Sequence, residues 1–406
     1  MSLRALALWG AFALAHALVA WLGWVLPAQP MGDVVLVYQP WSASALSGGA
    51  MVGITESWVY PHLALVPMLL TQLLALPFST LLGVQGSYLV AWAVLVTIFD
   101  LLGFAVLVGR GARGRRAMAG WFWTAALALL GPIAMYRIDA ITVPLAVAGG
   151  VWLAGRPAIA AALLTVGAWI KIWPGALIVA AVVAMRSRLR VVTAAAAVTA
   201  GVVCVVVLLG ADRELFGFLT QQTGRGLQIE AVAATPFVWL ALSGAASIEY
   251  SFEILTFQVR AAGADAVAAV LTPVMAVVVA LIAAVAALRV RRGAPWQRLL
   301  PPLALALVTA LIVTNKVGSP QFHTWLIAPV VLWLIHDHRR AAGAAALVLV
   351  LCALTFAVYP LSYDGLLRAQ PLPVLLITVR NLLLVALLAH AVREVLRTPT
   401  RAHHKP

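Results

Sequence analysis

The first acidic residue of the chain, Asp33, stands in Gly32-Asp33-Val34, directly after the first apolar run and ahead of Tyr38 and Trp41. A carboxylate there is either a loop residue at a helix end or a general base. Half-shielded in a membrane-facing cavity, such a group can have a raised pKa and accept a hydroxyl proton. Lys171 lies inside the apolar run GAWIKIWPGALI. An ammonium in such a run costs about 2.5–3.5 kcal/mol on insertion scales and marks a functional site unless it snorkels to the interface. Pro174 breaks the helix beside it and frees backbone groups. Arg380 in LLITVRNLLL needs an anionic partner for the same reason, and so does Asp100 in the second apolar run need a counter-group, which the sequence does not name.

Three polar stretches complete the set. Tyr136-Arg137-Ile138-Asp139 is a tight turn in which Arg137 and Asp139 either pair or flank a phosphate or sugar. Gly224-Arg225-Gly226-Leu227-Gln228-Ile229-Glu230 sets Arg225 between two glycines, open to close approach by a ligand, or is an ordinary polar loop. Asn315 to Trp325 is the densest polar stretch between two apolar runs. Its Lys316 can offset phosphate charge, while Ser319, Gln321 and His323 carry donors and acceptors suited to sugar hydroxyls, although a lone histidine is often satisfied by its neighbours. Trp58, Trp325 and the other tryptophans read as an interfacial belt more than as sugar platforms.

The elements that must position these residues are membrane helices. The chain has 406 residues, 64% hydrophobic and only 10% charged, where a soluble domain has about 45–50% and about 25%. The apolar runs are long and lack the alternation of a barrel, so an all-α polytopic membrane protein is expected. The first run, 5–27, reads as a retained anchor. Further spans are expected at 87–109, 117–135, 139–154, 157–171, 173–185, 191–210, 266–288, 299–315, 323–336, 341–358 and 372–392, twelve in all. Several are short and must tilt, break or pack inside the bundle.

Charge settles the one ambiguous run, Val59–Leu82, which holds Pro61, Pro67 and Pro77. If it lies along the membrane, most of the 27 basic residues fall on one, cytoplasmic side; if it crosses, they scatter. The expected organisation is therefore one transmembrane domain, 1–392, with an outer loop 28–86 carrying an interfacial helix, and a disordered cytoplasmic tail, 393–406. Both termini are cytoplasmic and the chemistry is extracytoplasmic, because most acidic residues fall on the outer side. The net charge of +14 is no sign of nucleic-acid binding, since the basic residues sit in short clusters between apolar runs. Cys204 and Cys352 lie in apolar runs as small fillers.

Six stretches, in this order, resemble glycosyltransferase family 87. They are Gly32-Asp33-Val34 with Tyr38, Tyr60-Pro61, Arg137-Ile-Asp139, Lys171-Ile-Trp-Pro174, Arg225-Gly-Leu-Gln-Ile-Glu230 and Asn315-Lys-Val-Gly-Ser-Pro-Gln-Phe322. His62 and His323 depart from the family's pattern, and His323 either marks a subgroup or contacts the acceptor. The resemblance implies the C-type glycosyltransferase fold and a polyprenyl-phosphate-mannose donor, as in the actinobacterial α-(1→2)-mannosyltransferases. The implied acceptor is a lipid-linked glycan of the phosphatidylinositol mannoside or lipomannan type. It implies that Asp33 takes the acceptor proton, that the anomeric centre inverts, and that Lys171, Arg225, Lys316 and Arg380 hold the leaving phosphate. Tyr38, Arg137, Asp139, Gln228, Glu230, Ser319, Gln321 and His323 are then candidates for sugar or acceptor contact. No cofactor and no obligate metal is expected, membrane lipids are the surroundings, and the oligomeric state is open. The same fold using another sugar, such as arabinofuranose, is one alternative. A transporter or flippase for a lipid-linked sugar is another, but no internal repeat is visible and the polar residues gather at one face.

Overall fold

The computed structural model describes residues 2–109, 112–211, 213–221, 224–251 and 256–400, the side chains of Arg213 and Thr220 excepted. Arg110, Asp212 and Glu253, used above in the charge count, lie outside the described residues, as do Arg401 and Lys405 of the tail. Among the described residues, eight stretches are long and apolar enough to cross a membrane: Leu3–Val25, His62–Val108, Gly114–Ala134, Arg188–Leu208, Ala264–Arg291, Trp296–Val313, Pro320–Leu361 and Pro371–Leu396. The shorter apolar helices Asp139–Trp152, Pro157–Ile170 and Gly175–Ala184 account for three more expected spans. The twelfth comes from Pro320–Leu361, which breaks at Asp337 (φ −149°, ψ 83°). There the Asp337 side chain accepts from Arg340 N, capping the second half at the junction between spans 323–336 and 341–358.

The short spans are interior ones. Asp139–Trp152 buries most of its residues on all sides, and the backbone of Pro144 lies against Gly103, where a Cβ would come within 2.9 Å of the proline Cα. Helix Trp296–Val313 is similarly buried all round. Ala264–Arg291 and Arg188–Leu208 bury little and present apolar faces outward, as lipid-facing helices do.

The run Val59–Leu82 does not continue straight into the next span. A helix, Leu65–Ala75, ends in a 3₁₀ turn, Leu76–Phe78, and the chain swings through Gly83 at φ 68°. It folds back so far that the Tyr88 hydroxyl donates to the Met68 carbonyl at 3.2 Å. The left-handed φ is open to glycine at no steric cost. The 28–86 loop holds more order than one interfacial helix, with a π-turn at Val34–Tyr38 and a helix at Gln39–Leu46.

Two features differ from what the sequence predicts: a hairpin within the all-helical fold, and the end of the last helix. An antiparallel hairpin joins Ser247–Ser251 to Thr256–Arg260. It pairs further with the chain at Leu227–Ile229, through Val259 N to Leu227 O (3.0 Å) and Ile229 N to Phe257 O (3.3 Å). The last helix also runs to Leu396 instead of stopping at 392, because Glu394 accepts from Arg340 at 2.8 Å and ties that turn to the bundle. A large core fills the helix bundle, and a smaller one, around Leu227, Val238, Val259 and Val374, sits beneath the hairpin.

Candidate active site

Asp33 enters the site at the start of the π-turn, with its side chain 38% exposed and Oδ2 3.2 Å from Arg137 Nε. Arg137 is buried and all three of its guanidinium nitrogens are engaged. Nη1 donates to the carbonyls of Pro30 (2.7 Å) and Tyr136 (2.8 Å), and Nη2 to the Tyr359 hydroxyl (3.3 Å). One planar fork thus joins the 30–33 loop, the 136–138 turn and the end of a distant helix. Burial works to lower the Arg137 pKa, but Asp33 and the Tyr359 and Tyr38 hydroxyls more than offset it, so the guanidinium stays charged.

The second arm of the turn points elsewhere. Asp139 is fully buried. Its Oδ1 accepts from Trp325 Nε1 at 2.6 Å, and its Oδ2 lies 3.8 Å from Lys171 Nζ, an ion pair too long for a hydrogen bond. Arg137 and Asp139 therefore do not pair with each other; each holds a different partner. Lys171 ends helix Pro157–Ile170 in extended backbone, and Pro174 starts helix Gly175–Ala184. The broken stretch between them places Nζ 4.4 Å from the centre of the Tyr60 ring, within cation–π range. The Tyr60 ring in turn meets Tyr38 at 6.4 Å. Tyr38 is fully buried, and its hydroxyl accepts from Ile138 N at 3.1 Å. Burial, with smaller pushes from Tyr60 and Asp33, raises its pKa well above the usual phenol range. Asp33, Arg137, Tyr38, Tyr60, Lys171 and Asp139 form one continuous polar network.

A second group lies alongside. The backbones of 228–231 and 316–318 touch directly: Gln228 N donates to Lys316 O at 3.0 Å, and a Cβ on Gly318 would stand 1.9 Å from Ala231 N. This contact brings Arg225 and Lys316 to one pocket. Arg225 Nε is buried with no hydrogen-bond partner, and burial lowers the Arg225 pKa. Lys316 is lowered by burial and then by the charge of Arg225. Glu230 is buried; Arg380 Nη1 donates to its Oε2 at 2.6 Å and Nη2 to its carbonyl at 2.9 Å. Burial raises the Glu230 pKa and Arg380 opposes the rise.

Placement of the remaining candidates follows. Gln228 is buried. Ser319 donates to Gln321 Oε1 at 2.5 Å. His323 is buried with Nδ1 3.1 Å from Pro320 O, and its Nε2 has no partner. Trp325 and Trp58 are buried, contrary to the interfacial belt expected of them. Trp325 stacks on Trp173 at 5.9 Å and holds Asp139, so its indole serves a polar partner within the bundle. Asp100 finds its counter-group in His16 Nε2 at 3.0 Å, across two helices and away from this site. Sequence reasoning missed Tyr359, the hairpin and Tyr60 as the surface beneath Lys171. Among the described residues no group of three or more His, Cys, Asp or Glu gathers as a metal site would.

Apolar helices in this number, with buried charges at their broken ends beside the half-exposed carboxylate of Asp33, belong to a multi-pass membrane protein with a polar network between its helix ends. A profile of glycosyltransferase family 87 matches residues 58–314, more than half of the chain. The chain belongs to that family, and it is a membrane glycosyltransferase. Among solved structures, ArnT from Cupriavidus metallidurans in the apo state is similar at 14% identity and a TM-score of 0.46, covering 96% of this chain and 78% of that one. No curated relative matches the sequence.

Proposed function

We propose that the protein moves a mannosyl group from polyprenyl-phosphate-mannose to a lipid-linked glycan on the extracytoplasmic face, with inversion, and that Asp33 is the general base. The observation that carries this reading is the pairing of an accessible Asp33 with the buried, fully anchored Arg137. Arg137 holds Oδ2, which leaves the other carboxylate oxygen to take the acceptor proton. As that O–H bond breaks, the acceptor oxygen bonds to the anomeric carbon. The bond from that carbon to the phosphate oxygen breaks, and its electron pair stays on polyprenyl phosphate. Two groups of cations border the site, Lys171 on Tyr60 and Arg225 with Lys316, suited to the charge that develops on the phosphate.

Burial divides the other candidates. Arg380, enclosed by Glu230 and Asn381, has its guanidinium engaged within the protein, so it positions the 224–231 loop instead of binding phosphate. Tyr38, Asp139 and Glu230 are positioning residues for the same reason: each is buried with its side chain bonded inside the protein, and Gln228 is buried where its backbone joins the 316–318 stretch. The contact surface for sugar and acceptor is then narrower than the sequence suggested, centred on Asp33, Lys171, Arg225 and Ser319, with Gln321 and His323 buried behind it.

The experiment is transfer from radiolabelled polyprenyl-phosphate-mannose to membrane lipids, with wild type, Asp33→Asn and Lys171→Ala. Loss of labelled product in Asp33→Asn with donor binding kept supports the reading. Transport of a lipid-linked sugar that survives Asp33→Asn, with no transfer by wild type, replaces it with the flippase reading. Labelled product from an arabinofuranosyl donor alone changes the sugar.

A further inference from the structure

A cavity of about 670 Å³ lies between the starts of helices Leu3–Val25 and Gly114–Leu130. The volume is within the range of ligand sites, about 300–1,000 Å³. Asp33 follows the other end of helix Leu3–Val25, and 23 residues at 1.5 Å each set the two ends about 33 Å apart. The cavity walls are Arg4, Ala7 and Leu8 on one side and Arg113, Ala117 and Trp121 on the other. Among the described residues no carboxylate lines it, and neither helix has an acidic residue in its first turn. The neighbouring Arg115 and Arg116 are engaged with backbone: Arg115 donates to His336 O at 2.7 Å and Arg116 to Leu107 O at 3.4 Å. The side chains of Arg4 and Arg113 make no hydrogen bond or ion pair among the described residues. Two guanidiniums at one cavity with no carboxylate are suited to an anion, and the N-terminal partial charges of both helices add to the same field.

The cavity also heads an apolar trough. Both helices start at it and run away from it in the same direction. On the first, Arg4, Ala7, Ala11, Leu14 and Leu18 follow at steps of three, four, three and four residues, which keeps them on one side of the helix. Ala7, Leu14 and Leu18 are exposed and Ala11 is half-buried. On the second, Ala117, Trp121, Ala125 and Ala128 follow at steps of four, four and three; Trp121 is exposed and the three alanines are half-buried. The inner sides are closed. A Cβ on Gly120 would stand 3.1 Å from Leu8 Cδ2, and the Phe12 and Trp123 rings meet at 5.4 Å. The open line between the two helices is therefore on the side turned to lipid, and its alanines leave a trough where larger side chains would raise a ridge.

We propose that the cavity between the starts of helices Leu3–Val25 and Gly114–Leu130 binds the head group of an anionic phospholipid in the leaflet away from Asp33. The phosphate sits between Arg4 and Arg113, whose N–H groups donate to its oxygens. One acyl chain lies in the trough past Ala11 and Ala125. Trp121 stands where chain meets head group, the level that suits an amphipathic ring. A water-soluble anion would meet the arginines and leave the trough empty. A zwitterionic phospholipid would bring a cation of its own up to two guanidiniums, so the site favours a lipid of net negative charge. This lipid is neither donor nor acceptor of the transferred sugar, and its binding is read without reference to the reaction.

The test is lipid binding to the purified full chain in detergent, read by native mass spectrometry. The probes are dioleoyl phosphatidylglycerol, dioleoyl phosphatidylcholine and water-soluble glycerol 3-phosphate. Wild type should hold one phosphatidylglycerol about tenfold more tightly than phosphatidylcholine, as charge-assisted contacts give. Arg4→Gln combined with Arg113→Gln should remove that preference and leave the melting temperature unchanged, because neither side chain has a partner to lose. Arg292→Gln combined with Arg298→Gln takes two exposed charges from elsewhere on the surface and should keep the preference. Ala11→Trp fills the trough and should weaken phosphatidylglycerol. Glycerol 3-phosphate should fail to displace it. A preference that survives the loss of Arg4 and Arg113, or that falls equally in the Arg292 and Arg298 control, overturns the site. Displacement by an equal concentration of glycerol 3-phosphate assigns the arginines to a soluble anion and overturns the lipid. Unchanged phosphatidylglycerol binding in Ala11→Trp overturns the trough.

Discussion

Asp33 Oδ2 and Arg137 Nε stand 3.2 Å apart, one half-exposed and the other buried and anchored to three further oxygens. The arginine is thus a fixed frame for the carboxylate. Arg137→Lys keeps the charge and loses the fork, so Asp33 is no longer held at a set angle. The expected result is a fall in kcat of about 10²-fold with donor KM little changed, a size comparable to the loss of a positioned base. Single-turnover kinetics checks it; a rise in donor KM with kcat kept would mean that Arg137 binds substrate.

Glu230 and Arg380 form a buried pair. Removing one member leaves a buried, uncompensated charge, at a cost of about 3–5 kcal/mol. Glu230→Gln should lower the melting temperature of the purified protein steeply, and Arg380→Leu combined with Glu230→Leu should restore part of it. A variant of Arg380 that weakens phosphate binding with no change in melting would return that residue to the phosphate.

Gly318 is the point where two loops share backbone contact. A methyl group there would meet Ala231 N at 1.9 Å, and backbone cannot move aside as a flexible side chain can. Gly318→Ala is expected to destabilise by about 1–3 kcal/mol and to raise donor KM by parting Lys316 from Arg225. Thermal melting and initial-rate kinetics read the two effects.

Lys316 should set an alkaline limb. Burial and the charge of Arg225 hold its pKa below the ordinary lysine range, so its positive charge is complete at low pH and is lost earlier than usual as pH rises. The donor kcat/KM, which reports the free enzyme, should therefore fall on the alkaline side, and Lys316→Arg should move that fall to higher pH. A limb that stays in place in Lys316→Arg belongs to another group.

The sequence carried the fold in its apolar runs, because length and hydropathy are local properties: all twelve expected spans coincide with helices, even the short interior ones. It also carried Lys171 and Arg380, since a charge in an apolar run is conspicuous wherever it folds. Pairing was not legible. Arg380 meets Glu230 across 150 residues, and Arg137 chooses Asp33 over the nearby Asp139 because the turn directs the two side chains to different helices. Trp325 looked like a belt residue because its Asp139 partner lies 186 residues away. The hairpin did leave a signal: in Ser247-Ile-Glu-Tyr-Ser and Thr256-Phe-Gln-Val-Arg apolar and polar residues alternate, the period of a strand. Long apolar neighbours on both sides masked it.

The central claim is that Asp33 takes the acceptor proton, and the rate of mannosyl transfer by Asp33→Asn tests it most directly. Asparagine keeps the shape and a contact to Arg137 but cannot accept the proton. The expected result is a fall in transfer of about 10²–10⁴-fold with binding of polyprenyl phosphate intact. Transfer at the wild-type rate would contradict the account.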